Sequence, residues 1–462
     1  MSRGIWAFVL IWFGQLTSLV GSGLTSFALG VLVYQTTDSV TAYALIVLCT
    51  MAPNVLLSPL AGALVDRWDR RWAMILSDTG AGLSTLAIVL LLITGRFELW
   101  PICLATAASS AFSAFQWPAY SAATTLLVPK KQYGRANGMV QLGRAIGLIA
   151  SPALAGFLVA QIEVWGVILI DFATFLFAVL TLLLVRIPRP APTPAGEAAK
   201  GSLWGEIVYG WTYLTARPGL LGLLIIFALT NFLLGAVMVL FTPLVLSFTD
   251  ARALGAMTSI GASGMLFGGL AMSVWGGPKR RIHGVLGFLL LEGLALSIGG
   301  LRPSVPLITL AAFGFFFSFP IVNASSDAIW QSKVAPDVQG RVFAMRSTIA
   351  MSFMPLAYVL AGPLADRVFE PLLAVGGPLA GSVGQLVGVG PGRGIGLMLV
   401  AMGLGIVLAT AASVLYPRIR LVEDELPDAL TEALSETPTE EPGNRRGDQR
   451  PSDPVGSELP AR

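Results

Sequence analysis

The chain has 462 residues, of which 55% are hydrophobic and 12% charged, whereas a soluble domain is about 45–50% apolar and about 25% charged. Its mean hydropathy is +0.76, and since about 20 apolar residues cross a bilayer core, it holds material for roughly a dozen spans and is no soluble enzyme. The net charge of +3 divides into 25 Lys+Arg against 15 Asp+Glu through Arg420 and 4 against 11 beyond it, a basic body with an acidic tail.

Apolar runs bounded by charged or Gly/Pro loops predict twelve spans, at 5–34, 42–65, 72–94, 99–127, 136–161, 164–185, 219–247, 255–275, 283–301, 304–329, 341–369 and 394–416. The first run is too long for a signal-peptide core and is expected to stay as a span. After the sixth span, residues 186–201 are rich in Pro and Ala and predict a linker. Ser202 to Ala216 then sets Trp204, Ile207, Val208, Trp211 and Leu214 among polar residues, which suits a short helix on the membrane interface. The expected organisation is a six-helix bundle over 1–185, a linker over 186–218, a second six-helix bundle over 219–416 and a tail over 417–462. From Glu423 the tail is charged and Pro-rich, so it is expected to be disordered.

The loops on one side carry 19 Lys and Arg, among them Arg70, Arg71, Arg135 and Arg280, and those on the other carry 5. The positive-inside rule makes the richer side, with both termini, cytoplasmic, so the basic residues read as orientation and not as a nucleic-acid surface. Two cysteines and one histidine exclude a disulfide framework, a zinc cluster and a haem pair, so no metal or cofactor is expected. Sliding the chain by 206 residues aligns Ala122 with Ala328, Val128 with Val334, Gly134 with Gly340, Arg135 with Arg341, Met139 with Met345, Ala155 with Ala361 and Gly156 with Gly362. Such a repeat, with an axis along the membrane normal, is an architecture of secondary transporters with a cavity between the halves.

Between spans 2 and 3 stands Gly62-Ala-Leu-Val-Asp66-Arg67-Trp-Asp-Arg70-Arg71. It resembles the signature Gly-x-x-x-Asp-Arg-x-Gly-Arg-Arg/Lys of the major facilitator superfamily, with Asp69 where the family usually has Gly. Gly62 allows close helix approach, Asp66 can face a helix N-terminus, and the arginines can pair across a cytoplasmic gate. In span 5, Gly138, Gly147, Ser151, Pro152 and Gly156 are similar to the antiporter motif of drug–proton exchangers in that superfamily, with Ser and Ala replacing two glycines. Small residues there clear one face for close packing, and the proline bends the helix.

The stretches WFGQLTSLVGSGLTSFAL, YGRANGMVQL, QGRVFAMRSTIA and LAGPLADRVFEPLL are similar to the bacterial exporters of macrolides and siderophores in the same superfamily. The resemblance implies an all-α membrane protein of twelve helices in two pseudo-symmetric halves. It further implies a monomeric transporter of the cell inner membrane that exports a small amphipathic compound by proton antiport. An importer or lysophospholipid flippase of the same fold, or a transport-silent receptor or scaffold acting through the tail, are the alternatives. No nucleophile–His pair supports an enzyme, and no Gly-x4-Gly-Lys-Ser/Thr supports ATP hydrolysis.

An ionisable residue inside a span costs at least about 2.5–3.5 kcal/mol and needs a partner or water. Arg144, beside the antiporter motif, is a candidate cavity or coupling residue, and Asp171, Glu292 and Asp327 are candidate proton carriers. Asp78 and Arg346 lie near span ends, where snorkelling or pairing suffices. The arginine that family members often carry in span 4 is missing between Ala105 and Ala123, where Gln116 is the one long polar side chain. Gln15, Gln116, Asn231 and Asn323 are candidate neutral contacts to cargo. The Phe313–Phe319 run is expected to pack or to face lipid, with a cavity lining as the second option.

Overall fold

The computed structural model describes residues 3–95, 98–129, 132–187, 211–334 and 338–425, and among them the regular structure is helical throughout. The N-terminal part consists of α1 (Arg3–Thr37), α2 (Val40–Arg67), α3 (Arg70–Ile93), α4 (Leu99–Ser113), α5 (Gln116–Leu127) and α6 (Tyr133–Leu184). The C-terminal part begins with α7 (Pro218–Leu246), α8 (Ala251–Trp275), α9 (Arg281–Leu301), α10 (Val305–Lys333), α11 (Gln339–Ser352) and α12 (Met354–Leu364). A π-helical turn (Ala365–Phe369), α13 (Glu370–Leu373), α14 (Gly384–Val387), α15 (Arg393–Leu415), α16 (Pro417–Arg420) and α17 (Val422–Glu425) complete it.

Side-chain caps start three of the long helices by satisfying free backbone N–H groups. Ser39 accepts from Ala42 N at 3.2 Å, Asp69 from Arg71 N at 3.0 Å and Asp250 from Ala253 N at 2.8 Å. Asp69 therefore does a useful job where the family signature has Gly: it caps α3 with backbone angles that need no glycine (φ −67, ψ 117).

Ten of the described helical stretches are long and apolar enough to cross a membrane by length and composition. One of them, α6, folds back at Glu163, whose backbone is left-handed (φ 59, ψ 172). Helix α1 lies against both arms: Trp12 and Ser151 bond it to the first arm, through Met139 O and Val20 O, and Thr25 bonds it to Asp171 on the second. Along α1 the first arm's numbers rise, whereas the second arm's fall from Thr181 opposite Gly14 to Thr174 opposite Gly21. The arms are thus antiparallel, and they coincide with spans 5 and 6. Span 4 breaks at Ala114–Phe115 into α4 and α5, and span 11 breaks at Phe353 and again at the π turn. Among the described residues, counting the arms of α6 separately, and α4 with α5 as one crossing, gives twelve segments of spanning length.

Each part has its own core. Ile11, Met74, Ala119 and Leu182 pack in the N-terminal part, and Leu223, Val285, Trp330 and Val342 in the C-terminal part. A third cluster joins the two through Val31 and Tyr43 against Leu240, Leu254 and Ala357.

The expected linker over 186–218 and its interfacial helix fall largely on residues 188–210, outside the described residues. Leu214, beyond them, is fully buried in the C-terminal core. At the other end the chain stays ordered past the expected boundary at 417. Val422 is fully buried, and the Glu423 carboxylate caps α9 by accepting from Arg281 N at 3.1 Å and Ile282 N at 2.9 Å. Its charge complements the helix N-terminus, so this acidic residue is a structural part of the bundle. Glu423→Ala is expected to destabilise the protein by about 1 kcal/mol, visible as a lower thermal midpoint in detergent. Ending the chain at Glu425 should leave that midpoint unchanged.

Candidate functional site

Helical spacing puts Gln15, Ser18, Leu19 and Ser22 on one face of α1. That face, with Ser77 and Asp78 of α3, Gln116, Trp117 and Tyr120 of α5, and Gly143 and Arg144 of α6, walls a cavity of about 320 Å³. Gln15 Nε2 donates to Asp78 Oδ2 at 3.0 Å, and Gln116 Nε2 donates to Gln15 Oε1, so three polar side chains from three helices form a chain. The Arg144 guanidinium lies 3.5 Å from the centre of the Trp117 ring, a cation–π contact. Tyr120 Oη and Gln116 Oε1 are buried without a partner, which leaves hydrogen-bonding capacity in the wall.

Asp78 is the residue that sequence position misjudged. It was expected to snorkel or to pair near the end of its span; instead it is 3% exposed and faces the cavity. The available signal was an aspartate two turns inside an otherwise apolar helix. Gln15, Gln116 and Arg144 are brought together around it.

A second cavity of about 300 Å³ lies between the halves. Ile308, Ala311, Ala312, Phe315 and Phe316 follow the spacing of one α10 face, and Ala295, Leu296 and Gly299 that of one α9 face; both line it. Gly23, Phe27, Tyr43 and Pro152 close it from the N-terminal side. Part of the phenylalanine run therefore lines a hollow, while Phe313 and Phe317 stack on each other at 6.3 Å. Glu292 stands one turn before Ala295 on the same face, 4% exposed, with Oε1 buried and without a hydrogen-bond partner.

Contacts between the halves gather at the helix ends away from Arg70, Arg71 and Arg135. The Asp366 carboxylate accepts from Val40 N at 3.0 Å, Thr41 N at 2.8 Å and Ser39 Oγ at 2.8 Å, so a C-terminal residue caps an N-terminal helix. Tyr43 Oη bonds Thr242 Oγ1 at 3.0 Å. Gly156 of α6 meets Gly255 of α8 backbone to backbone, and a Cβ on either would lie 3.2 Å from the other's Cα. The bundles are pinched together at this end, and the first cavity lies toward the basic end.

The remaining candidates divide. Gly156 and Pro152 make the inter-half contact, Gly147 packs on Leu19, and Ser151 bonds α1. Gly138 has nothing within 4 Å of a built Cβ, so it does not contribute to the packing expected of the motif. The side chains of Gly62, Asp66 and Arg67 lie outside the described residues. Arg71 does not reach across a gate: its Nε and Nη2 donate to Leu182 O at 2.9 Å and Leu183 O at 2.7 Å, tying α3 to the C-terminus of α6 within one half. Arg70 Nε is buried without a partner. Asp327 is ion-paired with Arg346 at 2.7 Å, which removes the reason to treat it as a proton carrier. Asn231 and Asn323 turn their amides back onto Phe227 O and Phe319 O of their own helices, each at 2.8 Å, and line none of these cavities.

Two helical bundles pinched at one end around a hollow, in a chain of membrane-spanning helices, define a secondary transporter. The chain belongs to the Major Facilitator Superfamily, whose family model matches residues 11–358. It is similar to Macrolide efflux protein A of Streptococcus pyogenes, 29% identical over 367 residues that cover 78% of this chain and 90% of that protein. It is also similar to the multidrug efflux pump Tap of Mycolicibacterium fortuitum, 27% identical over 371 residues, 78% of this chain and 89% of that one. The fold matches a bacterial homologue of the human lysosomal transporter Spinster with a TM-score of 0.68 at 14% identity, over 92% of this chain and 99% of that one. A bacterial homologue of ferroportin matches with 0.64 at 14% identity, over 89% and 99%.

Proposed function

We propose that this protein exports an amphipathic small molecule of the macrolide kind from a bacterial cell by proton antiport. It works as a single chain in the inner membrane with its basic face and both ends in the cytoplasm. The observation that carries the reading is the pair of unlike cavities: one in the N-terminal half lined by Asp78, Gln15, Gln116 and Arg144, and one between the halves whose C-terminal side is mostly apolar, with Phe315 and Phe316. A cargo with one polar and one greasy face suits a path that offers both kinds of lining. Relatives whose names denote efflux support the direction.

Asp78 takes the role of the carboxyl that exchanges its proton as cargo binds, because it is the acid in the cavity wall, and Arg144 in the same wall senses its charge. Asp171 and Glu292 are further buried carboxyls available to the proton. The halves rock between states pinched at one end or the other, so cargo meets one side of the membrane at a time. The test is accumulation of a labelled macrolide in everted vesicles under an imposed pH gradient. Asp78→Asn is expected to lower the initial rate at least tenfold, and Asp327→Asn to leave the gradient dependence in place. A wild-type rate indifferent to the gradient would rule out antiport.

A further inference from the structure

Beyond Ser22, the polar face of α1 continues into a chamber of about 160 Å³ lined by residues of the N-terminal half. Thr25 of α1, Thr50 and Asn54 of α2, Thr85 of α3, Thr106 of α4 and Asp171 of α6 line it. Such a concentration of hydroxyls inside a bundle of lipid-spanning helices is costly unless each finds a partner. Some do: Ser110 Oγ donates to Thr50 O at 2.6 Å and accepts from Asn54 N at 3.2 Å, knitting α2 to α4. Thr106 Oγ1 does not; it is buried without a protein partner. The volume admits several water molecules, since one needs only about 10–15 Å³ on this kind of measure, and the polar walls supply the two to four bonds that hold each.

Asp171 is 1% exposed. Its Oδ2 accepts from Thr25 Oγ1 at 2.6 Å and its Oδ1 from Thr174 Oγ1 at 3.4 Å. Thr25 faces it from α1, and the remaining chamber walls face it with hydroxyls, an amide and apolar groups; no other charged side chain lines the chamber among the described residues. Around Asp78, by contrast, stand Gln15 from α1, Gln116 and Tyr120 from α5, and the charged Arg144 from α6.

The connections of the chamber are asymmetric. It shares Ser22, Ser113 and Phe175 with the first cavity, so the two adjoin. Toward the pinched end its Leu29, Ile46 and Ile88 belong to a buried apolar cluster with Val33, Val89 and Ile168, which forms a plug. With the hollow between the halves it shares Ser26.

We propose that this chamber is hydrated and is a proton-holding station set inside the N-terminal half, beside the cargo cavities, with Asp171 as the acid that carries the proton. The inference deepens the antiport reading and rests on it for what the proton's movement accomplishes. In the pinched state described, an O–H bond of Asp171 breaks and the proton passes to chamber water, past Ser22 and Ser113, to the Asp78 cavity. Asp171 is left as a carboxylate that still accepts from Thr25. The apolar plug closes the chamber toward the pinched end, so the proton leaves through the cavity in which Asp78 meets the cargo, and charge and cargo are gated together.

The experiment compares infrared difference spectra of the purified full chain, wild type and Asp171→Asn, in lipid nanodiscs across a pH titration without cargo. A pH-dependent carboxyl C=O band is expected in the wild type, lost in Asp171→Asn, displaced in Asp171→Glu, and shifted within seconds of transfer to D2O. An unchanged band in Asp171→Asn, a band that D2O fails to reach, or one abolished by sodium at fixed pH would each overturn the proposal, the last by making the chamber a sodium site. Should either variant fail to fold, Thr25→Val tests the same band, which should shift as its hydrogen bond is lost. Because no cargo is present, a positive spectrum with no gradient-driven macrolide transport would defeat the antiport reading and leave the chamber standing.

Discussion

Gly156→Leu is expected to reduce macrolide export to below about one hundredth of the wild-type rate. A Cβ at this position would lie 2.5 Å from Ala251 O and 3.2 Å from Gly255 Cα, and on the facing helix a Cβ at Gly255 would run into Pro152 O. The obstructing atoms are backbone, which cannot swing aside as a side-chain tip does, so α6 and α8 must separate. Small residues at such crossings let membrane helices approach, and packing is a main force that holds them together. A transporter that cannot close one end cannot present its cargo site to one side at a time. Gly138→Leu, in the same sequence motif, is the control: with nothing near its built Cβ, it should retain most of the wild-type rate. Spin labels at Thr36 and Val375, exposed residues on either side of the pinched end, should move apart in Gly156→Leu and stay in place in Gly138→Leu.

Asp366→Ala is expected to release the pinched end without disturbing either bundle. The carboxylate takes three hydrogen bonds from Ser39, Val40 and Thr41, and its charge faces the N-terminus of α2. Hydrogen bonds to a charged group contribute about 1.5–3 kcal/mol each, but Asp366 is half-buried and water compensates part of that. A net loss of about 2–3 kcal/mol would lower the ratio of pinched to open molecules roughly 30- to 150-fold. The same pair of spin labels should report a larger open population, and export should fall about tenfold because the cycle stalls in one state. Asp366→Asn, which keeps a carbonyl acceptor and loses the charge, should fall between. An unchanged distance distribution in Asp366→Ala would show that the cap does not hold the ends together. The residues Gly362-Pro-Leu-Ala-Asp366-Arg367 repeat the spacing of Gly62-Ala-Leu-Val-Asp66-Arg67, so the chain carries the same six-residue pattern at the end of α2 and at the end of α12.

Much of the transporter was legible before any coordinates. Long apolar runs register as spans because lipid penalises polar groups residue by residue, a local property. Loop charges separate the two ends for a similar reason. The stripe of small residues that includes Gly156 is legible too, since small residues at helical spacing allow a close crossing, but the helix it would meet is not. Less was visible at the site. Asp327 looked like an intramembrane acid in need of a role and Arg346 like a span-end charge for which snorkelling or pairing suffices, and they turn out to be each other's partner, 19 residues apart. Asn231 and Asn323 looked like cargo contacts, yet a carbonyl one turn back in the same helix takes their amide hydrogens. Asp78 looked peripheral because its distance along α3 from the basic loop is short.

The amino-acid order by itself determined the membrane and the positions of the spans, which depend on neighbours within a few turns, and its 206-residue repeat marked two halves. Tertiary structure decided which faces of the helices meet. The partner of Asp78 is 63 positions away on α1, that of Asp171 is 146 away, and that of Asp366 is 326 away at Val40. Rotation of each helix about its axis is set by packing against all its neighbours together, and that rotation chooses whether a carboxyl sees lipid, water or an amide.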